Sequence, residues 1–386
     1  MTGGWWLAGE VAILAAWLLS LGRTIVNLAL VPRLRAGRAL PLPRTASTPL
    51  VSVIIPARDE ERSIERTVRA FLAQTWPALE IVVINDRSTD STGALLAQLA
   101  TEDSRVHVID NEEPPEGWLG KPWALHQGSL RAHGELLLFV DADVIYEPDA
   151  VAAAVTHLEA RGVPMLSLFP HFVMRGFWEH VLMPNLAFFA FTAIPLWLSN
   201  RSRTPLLGIG GGTGNLIRRV DYDAIGGHVS LRDAVVDDVA LARLTRRSGR
   251  RTEIARAEDL VSVRMYEGLS EIVQGFTKNA FATVGRSYIA LVFLLALGFV
   301  LHVLPFALAF TGSLFAIATV VVITLTRVIL FSAIRYRLDN ALLGHPLMVS
   351  AWALILLRSA WFTGIRKQLL WRGRTYDARR TRFGAD

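Results

Sequence analysis

Apolar and polar positions along the chain fall into two unlike patterns. From Trp5 to Leu21, and on from Ile25 to Val31, the residues are almost all apolar, interrupted by Glu10 and Arg23; Tyr288–Phe310 and Gly312–Ile334 repeat the pattern. Runs of about 20 apolar residues have the length of a membrane-spanning helix. Residues 1–31 are therefore expected to form an N-terminal anchor and 288–334 a transmembrane hairpin. No basic leading region or small-residue cleavage site precedes the first run, so a retained signal anchor is expected.

Between 51 and 266 the pattern alternates. VSVIIPA (Val51–Ala57), Glu80–Asp86, Arg105–Asp110 and Leu136–Val140 read as short buried strands. Between them, Ser63–Gln74 places Ile64, Val68, Phe71 and Leu72 on one helical face, and Lys121–His133 reads as another helix. Such alternation predicts an α/β domain, with a mixed, mostly parallel sheet covered by helices on both faces. Val181–Ser199 is an uncharged stretch broken by Pro184 and Pro195, read either as an interfacial segment near 178–199 or as a buried helix pair. Residues 267–287 are expected to lead back to the membrane, and Leu347–Phe362, which contains Arg358, to be re-entrant or to span it.

Composition sharpens this picture. Of 386 residues 52% are hydrophobic and 19% charged, with 11 Trp, no Cys and a net charge of +6. The absence of cysteine excludes disulfides and thiolate chemistry. Arginine dominates the positive charge and clusters beside the apolar runs: Arg33, Arg35, Arg38 and Arg44 follow the first, within a linker (32–50) stiffened by Pro41, Pro43 and Pro49. Arg366, Lys367, Arg372, Arg374, Arg379, Arg380 and Arg382 fill the tail of segment 335–386. That distribution suits a membrane surface rather than nucleic acid, and it places the middle domain on the cytoplasmic side of a bacterial-type membrane.

Candidate chemistry sits at the ends of the predicted strands. Leu136–Val140 runs into Asp141-Ala142-Asp143, and two carboxylates at such an end form a hard oxygen site for Mg²⁺ or Mn²⁺ and, through it, a diphosphate. The first turn, Pro56-Ala57-Arg58-Asp59-Glu60, has no glycine, which disfavours a dinucleotide-binding dehydrogenase, and no P-loop is present. GIGGGTGNLIRR (208–219) is either a loop that lets a ligand approach backbone amides or merely a tight turn. Asp237 and Asp238 open a helix, where carboxylates complement the helix dipole or face a cleft. The histidines show no metal-ligand spacing.

In order, VSVIIPARDEE, IVVINDRSTDST, GKPWALHQG, FVDAD, GTGNLIRR and DDVALARLTRRSG resemble the family 2 glycosyltransferases of GT-A fold, and the flanking apolar segments resemble their membrane-bound, lipid-glycosylating branch. The resemblance implies an inverting sugar transfer from a nucleotide sugar, expected to be a UDP-sugar, to a membrane lipid. It implies that Pro56, Arg58, Asp59, Glu60 and Asp86 surround the base and ribose, and that Asp143, with Asp141 beside it, holds a divalent metal. Lys121 is then a diphosphate contact and Asp238 the general base, with Asp237 as its acidic neighbour. The Q-x-x-R-W motif frequent in processive members is absent, which favours a single transfer over polymer synthesis. A membrane-tethered, catalytically inactive nucleotide-sugar-binding protein is the alternative.

Overall fold

The computed structural model describes residues 3–37, 48–339, 344–371, 374–377 and 381. Arg38, Pro41, Pro43 and Arg44 of the linker and Arg372, Arg379, Arg380 and Arg382 of the tail lie outside them. Two compact units emerge. One comprises 1–30, 174–197 and 266–378; the other comprises 31–173, 198–265 and 379–386.

The second unit is the α/β domain. Its strands are β1 (Val51–Ala57), β2 (Leu79–Asn85), β3 (Val106–Asp110), β4 (Leu136–Phe139), β5 (Val144–Tyr146), β6 (Met165–Phe169), β7 (His171–Phe172), β8 (Asn215–Arg218), β9 (Thr252–Arg256) and β10 (Val261–Val263). The main sheet has the order β3-β2-β1-β4-β8-β6-β9. Only β8 runs against its neighbours β4 and β6, so the sheet is mixed and mostly parallel. β1, β2 and β4 are apolar on both faces because helices cover both, the pattern expected of a buried parallel sheet. A small second sheet pairs β5, β10 and β7.

The Gly120–Arg131 helix packs on β1 and β2. Gly128 makes that approach possible, since a Cβ there would lie 2.5 Å from Ile84 Cδ1 and 2.6 Å from Ile54 Cγ2. At the far edge the chain following the first apolar helix does not run free. Leu34 N–H donates to Arg256 O (2.8 Å), Arg256 N–H to Pro32 O (2.7 Å), and Arg33 pairs with Glu258 (3.2 Å) and Asp259 (2.8 Å). Arg33, read as a charge of the basic linker, is thus partly spent inside the fold.

The first unit is helical. Trp5–Leu30, Tyr288–Ala309, Leu314–Ala333 and Gly344–Ile365 are long and apolar enough to cross a membrane. The last, read from sequence as Leu347–Phe362, is longer than that reading, because its first and final turns are polar or glycine-containing and escape a hydropathy window. Segment 178–199 belongs to this unit as far as Trp197 and forms short helices, Phe177–Leu182 and Pro184–Ala193, ended where the prolines predict. Asn27 Nδ2 donates to the Phe191 and Ile194 carbonyls (both 2.8 Å), and Phe188 and Phe191 are fully buried.

The Gly344–Ile365 helix has a particular course. At its start, His345 Nε2 lies 3.1 Å from Nδ1 of His302, well inside the Tyr288–Ala309 span. Near its end, Ser359 Oγ bonds the Thr277 carbonyl (2.6 Å) and the Phe281 N–H (2.9 Å), and Gly364 abuts the ring of Tyr288, the first residue of that span. The helix therefore starts deep along the second span and finishes at the end where that span begins. Between them Arg327, 1% exposed, is stacked on Phe331 (4.6 Å) and Phe188 (5.7 Å).

Candidate active site

Parallel strands that end together bring their following loops together. β1, β2 and β4 are adjacent, so Arg58, Asp86 and Asp141 emerge along one sheet edge. Two clusters form there.

The first joins the loops after β1 and β2. Arg58 Nη1 donates to the Asp86 carbonyl (3.2 Å) and lies 3.8 Å from its carboxylate, which also accepts from Asn111 Nδ2 (3.2 Å) and pairs with Arg87 (3.0 Å). Asp59, at a positive φ of 52°, accepts from Thr89 N–H (2.7 Å), while Glu60 N–H donates to Thr92 Oγ1 (2.8 Å). Pro56 lies in β1 itself, in register with Ile84 of β2. Arg58, Asp59, Glu60 and Asp86 are thus brought together, and they already brace the two loops against each other.

The second cluster is built around Lys121, in the first turn of its helix. Its Nζ lies 2.7 Å from Asp141 Oδ1 and 3.3 Å from Asp237 Oδ1. Burial works against the ammonium, but Asp141, Asp237 and Asp238 outweigh it and hold the Lys121 pKa well above its ordinary value. The same burial pushes Asp237 up to about 6; Lys121 opposes the rise, and the neighbouring carboxylates Asp238 and Asp141 add to it. Asp238 is raised as well, chiefly by burial and then by Asp141, against Lys121 and the backbone N–H groups of Val239 and Gly212. Asp237 and Asp238 do lie in a helical first turn, yet their side chains serve this cluster; the N-cap residue, Val236, makes no side-chain cap.

A small pocket of ≈ 10 Å³ opens here, lined by Lys121, Asp141, Gly212, Asn215, His228, Asp237 and Asp238 together with apolar residues. The glycine-rich loop forms one wall by close packing. A Cβ on Gly212 would lie 2.0 Å from Asp141 Oδ2, and one on Gly210 2.1 Å from the Asp238 carbonyl. Gly212 O accepts from Asp141 N–H (2.7 Å), so the loop and the end of β4 are locked in register. Asn215 Nδ2 donates to the Asp238 carbonyl (3.3 Å) while its Oδ1 accepts from Ser167 (2.8 Å).

His228 is a member of this site that sequence reasoning missed. Its ring is fully buried, Nδ1 is 2.8 Å from the Tyr222 hydroxyl, and Nε2 has no partner among the described residues. Burial, helped by the Lys121 charge, holds it down at about 3, so it is neutral. A lone histidine in GGHVSL carried no spacing signal; only the tertiary fold brings it here. Asp143 sits in the turn between β4 and β5, half-buried, and is not among the residues lining the cavity.

Among the described residues no three carboxylates or imidazoles converge as a ready-made metal site. The donors present nonetheless suit Mg²⁺ or Mn²⁺, which bind through one or two carboxylates plus substrate phosphates. Lys121 lies between the carboxylates and pairs with Asp141 and Asp237.

Comparison with known proteins agrees with this architecture. Residues 52–226 match the profile of Glycosyl transferase family 2. A 4,4'-diaponeurosporenoate glycosyltransferase of Staphylococcus aureus (strain MRSA252) is 25% identical over 342 residues, covering 85% of this chain and 88% of the relative. That of strain N315 is 26% identical with the same coverage. Among solved structures, mannosyltransferase PcManGT from Pyrobaculum calidifontis, in complex with GDP-Man and Mn²⁺, aligns with a TM-score of 0.55 at 20% identity, covering 93% of this chain and 97% of that one. The fold is GT-A.

Gly212→Ala should displace the Asp141 carboxylate. A misplacement of about 1 Å in such a site costs on the order of 100-fold in rate. The expected result is that loss of sugar transfer with an unchanged circular dichroism spectrum; a wild-type rate would show that the contact is irrelevant to the site.

Proposed function

We propose that this chain, whose residues 52–226 form a family 2 glycosyltransferase domain, moves a sugar from a nucleotide-sugar donor, expected to be a UDP-sugar, to a hydroxyl of a membrane lipid. The observation that carries this reading is the meeting of the Asp141 and Asp237/Asp238 carboxylates in one cavity at the sheet edge. A lipid acceptor is favoured by four helices of membrane-spanning length and by the carotenoid acceptor in the name of a relative that aligns over 85% of this chain.

Asp238 acts as the general base. An alcohol is a weak nucleophile at neutral pH, and a carboxylate that takes its proton during attack supplies about 10²–10⁴-fold. Burial raises the proton affinity of Asp238, which suits that task, while Val239 N–H at 2.7 Å and Asn215 fix its orientation. One base on the sugar's face opposite the leaving group permits a single in-line displacement with inversion, without a covalent intermediate. Asp237 and Lys121 tune the charge of the pair. Arg58, Asp59, Glu60 and Asp86 surround the base and ribose, with Pro56 ordering the turn beneath them. Asp141 and Asp143 would hold a divalent cation, which neutralises charge on a departing diphosphate.

The catalytic domain is assigned to the cytoplasmic side, from Arg33 and Arg35 after the first span and the basic tail. We read Gly344–Ile365 as re-entrant, because it starts beside His302 and ends beside Tyr288.

Asp238→Asn should lower transfer by about 10²–10⁴-fold while donor affinity, measured by calorimetry, stays within about threefold. In the wild type kcat/KM should fall as pH falls through an apparent pKa above 3.8, because the protonated base cannot accept a proton. Chelation should abolish transfer, and Mn²⁺ or Mg²⁺ restore it. Near-normal turnover in Asp238→Asn would remove Asp238 as base. The assay pairs a nucleotide-sugar panel with total lipid extract and mass detection.

Because the chain has no cysteine, single-cysteine labelling reads its topology directly. Lys367→Cys should react with an impermeant maleimide from the same face as Glu102→Cys, and Thr311→Cys from the opposite face. Labelling of Lys367→Cys together with Thr311→Cys would make the last helix a full crossing.

A further inference from the structure

Away from the cavity, Arg201, Arg203, Arg250 and Arg251 surround a second, open cleft of ≈ 500 Å³, completed by Gly162, Pro164 and Gly249. Every charged residue lining it is an arginine. The arginines come from two separate segments, 201–203 and 250–251, and the helix end at Gly162 adds a third wall, so the clustering is made by the fold.

One explanation is local: basic residues at helix C-termini complement the dipole. It accounts for Arg161 and for Arg246 and Arg247, which end the helices Ala150–Arg161 and Asp237–Arg247. It does not account for Arg201 and Arg203, which belong to neither helix. Nor are Arg203 and Arg251 held like Arg246, a buried structural arginine bonded to Ser199, Thr204 and Thr252. Of the lining arginines, Arg250 pairs with Asp221 (2.6 Å) and donates to Ser248 Oγ (2.9 Å); Arg201 and Arg203 are exposed, and Arg251 donates a long bond (3.5 Å) to the Arg161 carbonyl.

Guanidinium groups around one cleft repel one another unless an anion lies among them, and their planar donors match phosphate oxygens in pairs. The glycines keep the floor open: Gly162 (φ 58°) and Gly249 (φ 79°) have nothing within 4 Å of an added Cβ. Arg201 follows Trp197, the last residue of the apolar 174–197 segment, by four residues (201 − 197). Four residues of chain reach at most about 14 Å. We propose that this arginine cleft binds the phosphate of an anionic phospholipid headgroup.

The test uses the full-length protein in neutral detergent, with native mass spectrometry after addition of dioleoylphosphatidylglycerol or dioleoylphosphatidylcholine. Wild type should retain phosphatidylglycerol in preference to phosphatidylcholine. The pair Arg203→Gln/Arg251→Gln should lose that retention by about tenfold, and Arg203→Lys/Arg251→Lys should keep part of it. Transfer activity in detergent should be unchanged in both, which shows that they fold. Equal retention of the two lipids, or of phosphatidylglycerol by wild type and the Gln pair, would overturn the proposal. Inorganic phosphate titrated in place of lipid should bind at least about tenfold more weakly; phosphate binding as tightly as phosphatidylglycerol would make this a free-anion site and overturn the lipid assignment.

Discussion

One half-buried ammonium holds the candidate site together. Lys121 lies between Asp141, at the end of β4, and Asp237, at the start of the Asp237–Arg247 helix, at 2.7 and 3.3 Å. Three elements distant in sequence meet at that cation. Without it the clustered carboxylates, of which Asp237 is buried, would repel one another and resist ionisation. The loop 208–214 could then not close so tightly on both Asp141 and Asp238. A site dense in negative charge is thereby kept preformed.

The second dependency is steric. The glycine-rich loop works by what it lacks: Gly210 and Gly212 leave room for the Asp238 carbonyl and the Asp141 carboxylate where any Cβ would collide. The absent side chains admit the site's own acids, and the Gly212 N–H is directed to Asp238.

Much of this was legible from residue order because it is local. Period and length placed β1, β2, β3 and β4 to within a residue or so, and prolines at 184 and 195 marked the breaks in the middle apolar segment. Asp141, Asp237 and Asp238 could be singled out because carboxylates at strand ends and helix starts are local signals. His228, Asn215 and the role of Lys121 were not legible, since nothing in GGHVSL or GTGN says which side chain the fold will bury beside a carboxylate. Nor could hydropathy reveal where the Gly344–Ile365 helix starts and ends; its contacts with His302 and Tyr288 are tertiary.

The Lys121-centred cluster is tested most directly by hydrogen exchange on Lys121→Met, which keeps the stem and removes the charge. At a pH well above the value of about 6 to which Asp237 is pushed, exchange of the Gly212 and Val239 amides bound to Asp238 should quicken, while β1 and β2 keep wild-type protection. Unchanged protection at Gly212 and Val239 would contradict the account, because the carboxylates would then hold their places without the cation.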